Sequence, residues 1–410
     1  MNPRLDQLHD YPFQRLAALL DGVAPAAGQP HVSLSIGEPK HEPPAAVVEF
    51  LADRRCLSEG LGTYPATRGI RELREVACTW LKRRFGAELD PERGVLPVSG
   101  TREALFSFAQ AAVGAKPNPV VVLPNPFYQI YEGAAILSGA TPHYLNADAA
   151  NGYQPDFESV PDAIWARTEV LYLCSPGNPT GKVVPAATQR WLIEQAHRFD
   201  FVIAADECYS EIYLDENRPP SGLLRESDAL GNLGYARCIV FHSLSKRSSL
   251  PGLRSGFVAG DADLLERYHR HRTYQGAALP VHVQQASALA WQDEAHVCRN
   301  RALYRAKFEA TLPLLNAAFD VAAPEGGFYF WLPTQEDDRQ FARALHQDLN
   351  ISVLPGSFLG RMTKAGNPGA HHVRIALVAP EAECVAAVKR LAIWARARRE
   401  GSRSGLDWSA

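Results

Sequence analysis

Short runs of apolar residues recur through the middle of this chain, separated by longer segments with helical periodicity. The runs are VLPV (95–98), VVVL (120–123), VLYLC (170–174), FVIAA (201–205) and CIVF (238–241). Each run is apolar throughout, whereas a strand with one face in water alternates apolar and polar residues. The pattern therefore predicts an α/β fold, in which helices cover both faces of a mostly parallel, doubly wound sheet.

The pattern changes after about residue 280. Helical stretches there surround three further strand candidates, FYFWL (328–332), ISVL (351–354) and VRIALV (373–378). This arrangement is typical of a smaller α+β domain. We therefore predict an N-terminal arm that includes part of the small domain (1–45), a large domain (46–280), a small C-terminal domain (281–398) and a frayed tail (399–410).

Composition argues against several classes of protein. The 410 residues carry a net charge of −3, which provides no electrostatic reason to bind nucleic acid or an anionic membrane. No apolar run approaches the ~18 residues of a membrane span. The polar N-terminus predicts no signal peptide. The seven cysteines are scattered, without a CxxC pair or metal-ligand spacing, which predicts no metal site and a reducing compartment, the cytoplasm.

Ligands of such a sheet bind at the carboxyl ends of its strands, so the residues that follow each run are informative. After VLPV, SGTR (99–102) opens a helix, and backbone N–H groups at a helix N-terminus beside a glycine suit a phosphate. An ordinary N-cap is the alternative. After VVVL, PNPFYQIYEG places Phe127, Tyr128 and Tyr131 in a turn, where an aromatic ring can stack on a planar ligand or pack in the core.

The next two strand ends carry an amide and a carboxylate. SPGNPTG (175–181) contains two prolines and two glycines, which predicts a rigid loop that aims Asn178 at a ligand, although turn chemistry alone explains Asn-Pro. Asp206 follows FVIAA, and a buried carboxylate is costly unless it meets a cation such as a protonated pyridine nitrogen. Tyr209, three residues on, can hydrogen-bond the phenolic oxygen of such a ring.

The run CIVF leads into the segment FHSLSKRSSLPGLRSG (241–256). Lys246 lies there beside Ser243 and Ser245, with Arg254 eight residues later. The amine can form a Schiff base with an aldehyde, while the hydroxyls and the guanidinium hold a phosphate. For Lys246 alone, a solvated surface charge is the alternative. A helix start suited to a phosphate, an asparagine, an aspartate with a tyrosine, and a lysine with an arginine thus follow four of the strands in this order. Together they predict pyridoxal 5′-phosphate (PLP) as the cofactor.

The motifs SPGNPTG, DECYSEIY, SLSK…PGLRSG and VRIAL follow one another in the chain. In order and spacing they resemble the class I/II (fold-type I) PLP-dependent aminotransferases, over nearly the whole sequence. The resemblance implies that Lys246 is the Schiff-base lysine and shuttles the substrate proton, and that Asp206 pairs with the pyridinium nitrogen. It also implies hydrogen bonds from Asn178 and Tyr209 to the ring oxygen O3′.

The same resemblance implies the remaining site residues and the partners. The other cofactor-binding residues would be Gly100, Thr101, Arg102, Tyr128, Ser243, Ser245 and Arg254, with Tyr64 reaching the phosphate in the partner subunit. The substrate-binding residues would be Gly37, Asn178 and Arg374, of which Arg374 takes the α-carboxylate as a bidentate pair. The implied partners are amino acids, 2-oxo acids and a second copy of the chain in a homodimer with shared active sites.

Two segments depart from the commonest pattern of the family, GEPKHEPP from Gly37 and RSSLPGLR after the lysine. With NPFYQIYEGA, RTYQGAALP and FHSLSKRS, they resemble the proteobacterial N-succinyldiaminopimelate aminotransferases of lysine biosynthesis. This implies transamination between N-succinyl-LL-2,6-diaminopimelate and 2-oxoglutarate, with glutamate as donor in the biosynthetic direction. Lys40 and Arg68 are candidates for binding the distal carboxylate of that substrate; ordinary surface charge is the alternative.

Other functions stay open at this point. Aspartate, alanine and aromatic aminotransferases, and PLP-dependent C–S β-lyases, have almost the same core residues, so fold resemblance does not choose among them. A PLP-binding regulator would carry a DNA-binding module before the core, and the roughly forty residues there show no helix-turn-helix pattern or basic stripe. A nicotinamide dehydrogenase would show GxGxxG after a strand, and no such motif follows any strand candidate.

Overall fold

The computed structural model of the chain describes residues 1–399. The strands of this part are β1 (Val32–Ser33), β2 (Val95–Val98), β3 (Val120–Asn125), β4 (Thr141–Asn146), β5 (Thr168–Cys174), β6 (Val202–Asp206), β7 (Cys238–Ser243), β8 (Gly256–Gly260), β9 (Tyr329–Pro333), β10 (Ile351–Ser352), β11 (Leu354–Pro355) and β12 (His372–Ala376). The α-helices are α1 (Pro12–Leu20), α2 (Ala45–Ala52), α3 (Arg54–Leu61), α4 (Arg71–Phe85), α5 (Thr101–Ala112), α6 (Ile130–Ser138), α7 (Asp162–Trp165), α8 (Ala186–Phe199), α9 (Leu223–Ala229), α10 (Leu244–Arg247), α11 (Ala262–Gln275), α12 (Val281–Gln292), α13 (Ala295–Asn316), α14 (Asp338–Leu349) and α15 (Glu381–Arg399). Within the described residues, no helix is long and apolar enough to cross a membrane.

A seven-stranded sheet forms the centre of the fold, in the order β2-β8-β7-β6-β5-β3-β4. Its strands pair in parallel except β8, which is antiparallel to both of its neighbours. The carboxyl ends of β2, β3, β5, β6 and β7 therefore meet at one edge of the sheet. The predicted fold class, α/β with a mostly parallel sheet, is confirmed.

Successive residues of the central strands pack on opposite faces of this sheet. Ile203 of β6 belongs to a core shared with Leu192 of α8, whereas the adjacent Ala204 belongs to a core shared with Phe108 of α5. Both faces are thus covered by helices, which is why the strands of this sheet are apolar on both sides.

A second, smaller sheet lies in the C-terminal part, with the order β11-β12-β9 and antiparallel pairing. Its residues share a separate core with α13, α14 and α15, to which Phe308, Leu345 and Leu391 contribute. The N-terminal strand β1 pairs in parallel with β10, Val32 opposite Ile351, so the arm joins this part of the molecule. The predicted domain boundaries themselves stay a prediction.

Three details differ from the sequence-based expectations. The segment ISVL is not one strand, because its first two residues pair with β1 and Leu354 pairs with Arg374 in the small sheet. Strand β4 was not expected, since it lies at the edge of the large sheet and its residues TPHYLN are mostly partly exposed. Arg399, assigned to the frayed tail, is the last described residue of α15, and residues 400–410 of that tail lie outside the described residues.

Candidate active site

A cavity of 440 Å³ opens at the carboxyl edge of the large sheet, where that edge faces the small sheet. Side chains that follow different strands line it, Tyr128 after β3, Asn178 after β5 and Asp206 at the end of β6. The residues predicted for the site that line this one cavity are Gly37, Thr101, Arg102, Tyr128, Asn178, Asp206, Tyr209, Ser243, Ser245, Lys246, Arg254 and Arg374.

Lys246 lies in the short helix α10, which begins directly after β7. The hydroxyl of Ser243 caps this helix, accepting a hydrogen bond from the Ser245 N–H at 3.1 Å. The amino group of Lys246 donates to the carbonyl oxygen of Gly37 at 2.8 Å. Burial, together with the nearby charge of Arg374, lowers the pKa of Lys246 to about 8. A substantial fraction of this amine is therefore neutral near physiological pH, as a nucleophile requires.

Asp206 ends strand β6 and is 5% exposed. Its Oδ2 accepts a hydrogen bond from the Tyr131 hydroxyl at 2.5 Å, and its Oδ1 accepts one from the backbone N–H of Cys208 at 3.2 Å. No basic side chain within residues 1–399 forms an ion pair with this carboxylate. A buried carboxylate in these surroundings is suited to a cationic ligand.

Tyr131 is a partner that the sequence analysis placed in a turn without assigning it a role. It lies in the first turn of α6, stacks on the ring of Tyr172 and is fully buried. Burial first, and then the adjacent Asp206, raise its pKa, so its hydroxyl stays a donor toward the carboxylate. The aromatic turn that follows β3 was the only sequence signal for this contact.

Arg374 comes from β12 of the small sheet and is 4% exposed. Its Nη1 donates to Oδ1 of Asn178 and its Nη2 donates to the carbonyl oxygen of Ser35, each at 2.8 Å. The guanidinium lies over the ring of Tyr329, 4.3 Å from its centroid. Each Nη carries a second proton, so the group can still bind a carboxylate in bidentate fashion.

Gly100 and Arg254 form a tight corner at the start of α5. Gly100 has φ +81°, and a Cβ built on it would lie 2.3 Å from Nη2 of Arg254. No side chain of the described residues caps this helix, so the N–H groups of its first turn are free to bind an anion. With the Arg254 guanidinium, Ser243 and Ser245 beside them, these donors suit a phosphate.

Tyr209 and Tyr329 contact each other through their hydroxyls at 2.8 Å. Burial raises the pKa of both phenols, so both stay protonated at neutral pH. A Cβ on Gly37 would lie 2.0 Å from the Tyr329 hydroxyl, so only glycine fits there. Sequence reasoning missed Tyr329, because FYFWL shows only the apolar pattern of a strand.

The N-terminal arm also reaches the cavity, through Tyr11, Pro12 and Phe13. The exposed guanidinium of Arg102 lies over the ring of Tyr11, 5.1 Å from its centroid. Nothing in the composition of MNPRLDQLHDYPFQRL signalled this placement, which depends on how α1 packs against α14 and β11.

Four predicted residues do not line the cavity of this chain. Gly100 lies behind it, against the Arg254 guanidinium. Tyr64 is 99% exposed, and its predicted contact with the partner subunit stays a prediction. Lys40 is exposed on the segment after Gly37. Arg68 is engaged elsewhere, since its Nη2 lies 2.5 Å from Glu266 and its Nη1 donates to the carbonyl oxygen of Glu92.

Comparison with known proteins decides the family. The family model of aminotransferase class I and II matches residues 29–391. The chain belongs to the class I and II aminotransferases. Enzymes of this family are PLP-dependent and act on amino acids and 2-oxo acids.

Individual relatives support this assignment. The chain is similar to an aminotransferase of known structure from Neisseria meningitidis, with 46% identity and a TM-score of 0.91 over 95% of this chain and 99% of that one. It is 31% identical to the LL-diaminopimelate aminotransferase of Desulforudis audaxviator, over 95% of this chain and 96% of that protein. The probable N-succinyldiaminopimelate aminotransferase of Thermus thermophilus is 25% identical with a TM-score of 0.82, over 93% of this chain and 99% of that one.

The cavity of this chain fits PLP by its own chemistry. When bound, the cofactor supplies an aldehyde that an amine can attack and a ring that accepts electrons. The neutral form of the Lys246 amine can attack the aldehyde. The buried carboxylate of Asp206, which has no ion-pair partner within residues 1–399, can pair with the protonated ring nitrogen. At the start of α5, which no described side chain caps, the backbone N–H groups and the Arg254 guanidinium beside Gly100 can bind the phosphate.

Proposed function

We propose that this aminotransferase transfers the amino group between N-succinyl-LL-2,6-diaminopimelate and 2-oxoglutarate, with glutamate as donor in the biosynthetic direction of lysine and diaminopimelate synthesis. The observation that carries the proposal is that three arginine guanidinium groups belong to the cavity lining, of which the cofactor phosphate and the substrate α-carboxylate require only two. We assign Arg374 to the α-carboxylate and Arg254 to the phosphate. Arg102 also lines the cavity, and within residues 1–399 it forms no ion pair.

The positive charge of Arg102 indicates the class of substrate. An acylated diaminopimelate has an α-amino and an α-carboxylate group at its reacting end and further carboxylates at its far end. Arg102 is exposed at the cavity and is held only by the ring of Tyr11, so it is available for a distal carboxylate. Arg102 therefore replaces Lys40 and Arg68 as the candidate for this role. The two relatives named for diaminopimelate substrates support the same class.

The roles of the other residues complete the proposal. Asp206 pairs with the protonated ring nitrogen, Asn178 and Tyr209 hydrogen-bond the ring oxygen O3′, and Tyr128 stacks on the ring. The backbone N–H groups of Gly100, Thr101 and Arg102 at the start of α5 bind the phosphate, which Ser243, Ser245 and Arg254 hold from the other side.

The chemical step depends on two residues that line the cavity, Arg374 and Lys246. Arg374, oriented by Asn178 and the Ser35 carbonyl, binds the substrate α-carboxylate and so fixes the position of Cα. The amine of Lys246, which a pKa of about 8 suits for proton transfer near neutral pH, takes the proton from Cα and returns one to C4′. Water then releases the first 2-oxo acid, and the second 2-oxo acid binds only after that release. This order predicts ping-pong kinetics.

Assembly and location belong to the same proposal. An exposed aromatic such as Tyr64, 99% accessible in a single chain, is suited to an interface, and we propose that it reaches the phosphate of the partner in a homodimer. The seven free cysteines and the pathway support a cytoplasmic enzyme.

The test is a substrate panel with the cofactor-loaded protein. N-succinyl-LL-2,6-diaminopimelate, LL-diaminopimelate, glutamate, aspartate, alanine and phenylalanine are each added without acceptor, and bleaching of the visible absorbance is followed. We expect the succinylated compound and glutamate to convert it fastest. Faster conversion by aspartate, alanine or phenylalanine would contradict the substrate assignment, and release of pyruvate and ammonia from cystathionine would indicate a C–S lyase.

An arginine variant tests the distal carboxylate directly. Arg102→Gln removes the charge at the cavity mouth, so we expect the KM for the succinylated substrate to rise by about 10-fold or more while the KM for a short amino acid changes little. Arg93→Gln, which removes an exposed arginine paired with Asp263, is the matched control. Equal effects of Arg102→Gln on both substrates would remove this role.

A second candidate is amino transfer from unacylated LL-diaminopimelate, which the Desulforudis audaxviator relative favours by its name. That compound carries a second ammonium group where the succinylated one carries an anionic acyl chain. Arg102 at the mouth favours the anionic chain. A higher kcat/KM for LL-diaminopimelate than for its succinylated form would reverse this choice.

A further inference from the structure

A chain of hydrogen bonds connects helix α13 to the backbone of Lys246. Nζ of Lys307 lies 2.7 Å from Nε2 of His41, and Nδ1 of His41 lies 2.7 Å from Oδ1 of Asn300. Nδ2 of Asn300 then donates to the carbonyl oxygens of Lys246 and Arg247, each at 3.1 Å. Lys307 is 2% exposed and Asn300 is 6% exposed, and His41 between them is partly buried, so the two ends of this hydrogen-bond chain are shielded from solvent.

The protons of these hydrogen bonds, from Lys307 through His41 to Asn300, have a single consistent arrangement. Asn300 uses its NH₂ group on the two carbonyls, so its Oδ1 must accept from His41, and Nδ1 of His41 must carry a proton. An ammonium can only donate, so Nε2 of His41 must accept from Lys307. His41 is therefore neutral. Burial lowers the pKa of His41 and the charge of Lys307 adds to that effect, in agreement with the neutral form.

The segment that carries His41 also touches the amino group of Lys246. Residues 34–44 have no regular secondary structure, and within them the Gly37 carbonyl oxygen accepts the hydrogen bond from Lys246 Nζ. The hydroxyl of Ser249 donates to the carbonyl oxygen of His41 at 2.8 Å, and the His41 ring packs on Tyr304 with centroids 4.4 Å apart. An irregular segment needs such anchors to present a carbonyl at a fixed place.

We propose that His41, held between Lys307 and Asn300, is a positioning residue for Lys246. It fixes the segment 37–41 so that the Gly37 carbonyl meets the amino group, and through Asn300 it fixes the backbone of the lysine itself. The inference rests on the proposed role of Lys246, but the geometry concerns only residues of this chain. The motif GEPKHEPP, noted as a departure from the commonest family pattern, thus places a histidine where it can contact both elements.

The measurement is the pH dependence of Lys246 in the cofactor-free protein. The rate at which trinitrobenzenesulfonate modifies Lys246, read by peptide mass spectrometry, has its midpoint at the pKa of the amine. The carbonyl of Gly37 stabilises the charged amine, so loss of this contact lowers that pKa. The titratable groups that face Lys246, namely Cys208, Arg374, Asp206 and Glu38, are unchanged in every variant below.

Two substitutions at one position separate positioning from packing. His41→Phe keeps a ring against Tyr304 and removes both nitrogens, and we expect the midpoint to fall by about half a unit to one unit, with PLP bound about 10-fold more weakly. His41→Gln keeps one donor and one acceptor, so we expect a midpoint close to that of the unsubstituted protein. Equal midpoints and equal PLP affinities for the Phe variant and the unsubstituted protein would overturn the proposal.

Two lysine variants, one in the hydrogen-bond chain and one away from it, provide a matched comparison. Lys307→Met removes the donor to His41, and we expect a fall of the midpoint in the same direction. Lys116→Met removes another partly buried lysine, which donates to the carbonyls of Thr168 and Phe199 away from the cavity; it should lower only the melting temperature. A shift of the same size in both variants would contradict the proposal. Because these readings need no turnover, a failed substrate assignment leaves them unchanged.

Discussion

The two halves of the cavity are built in different ways. Asp206, Ser243 and Lys246 come from the ends of adjacent strands of the large sheet, and each is placed by the strand that precedes it. Ser35 and Arg374, by contrast, lie 339 positions apart in the sequence and meet only when the N-terminal segment packs on β12. The first half suits the cofactor and the second suits the substrate carboxylate.

Contacts between the halves are few and specific. Arg374 donates to Asn178 of the loop after β5, and Lys246 donates to Gly37 of the N-terminal segment. A change in one half should therefore affect mainly its own ligand. The following predictions test that separation.

The largest effect should come from Lys246→Ala. Loss of the amine removes both the group that attacks the aldehyde and the group that moves the proton, so we expect kcat to fall by about 10²- to 10⁴-fold or more, with no visible absorbance band from bound cofactor. Absorbance and single-turnover assays measure this. Lys116→Ala is the control, and appreciable turnover by the Lys246 variant would contradict the assignment of the cofactor half.

Arg374→Gln should act on substrate but not on cofactor. Removal of the guanidinium loses a charge-assisted, bidentate pair, so we expect kcat/KM for amino acids to fall by about 10- to 100-fold. The dissociation constant of PLP, measured by absorbance titration, should change little. A parallel loss of cofactor affinity would show that the two halves are not separable in this way.

Tyr131→Phe should have a smaller effect, confined to the cofactor half. It removes the hydroxyl that donates to Asp206, and we expect kcat to fall by about 5- to 10-fold, with an unchanged KM. Tyr172→Phe is the matched control, since that buried hydroxyl donates to the Leu105 carbonyl, and the ring stacks on Tyr131. Similar losses of kcat in both variants would attribute the effect to packing.

The smallest effect is the pH dependence of stability that Lys246 contributes in the cofactor-free protein. Burial lowers its pKa from 10.5 to about 8, so the unfolded chain binds this proton more tightly and the stability contributed by Lys246 rises from pH 8 to 10.5. Below pH 8 the cost of burying the charge is complete. Lys246→Met should therefore raise the free energy of unfolding at pH 7 by about 1 kcal/mol or more.

Urea unfolding at pH 7 and at pH 10.5 measures that difference. The advantage of the methionine variant should shrink at the higher pH, where the lysine is neutral in the folded state and only about half charged in the unfolded state. An advantage that is the same at both pH values would show that packing, and not charge, distinguishes the variants.

The large sheet could be predicted because its strands are buried on both faces. Runs such as VLYLC and FVIAA have no alternation, and the strands β5 and β6 form at those runs. The strands of the C-terminal part were harder to predict, since β10 and β11 are two residues each and pair in different sheets, β10 with the distant β1 and β11 with β12. A single apolar run such as ISVL carries no signal of where its pairing changes.

The site residues also divide into those with a local sequence signal and those without one. Asp206, Asn178 and Lys246 could be singled out because each is an unusual polar residue directly after an apolar run. Tyr329 lies within an apolar strand and Ser35 contributes only its carbonyl oxygen, so neither has a local signature. Lys40 and Arg68 were chosen for their charge and for their place in N-terminal segments that the family resemblance puts near the substrate entrance, whereas packing leaves the first exposed and pairs the second with Glu266.

The sequence by itself determined the fold class, the edge of the sheet that carries the site and the chemistry of its cofactor half, because strand burial and strand-end polarity are local patterns. Only the tertiary structure decided which residues face that edge from the rest of the chain. Arg374 with Ser35, Arg102 with Tyr11, and His41 between Lys307 and Asn300 are contacts between distant segments. Such contacts depend on how the small sheet, the arm and helix α13 pack, and no short stretch of sequence encodes that packing.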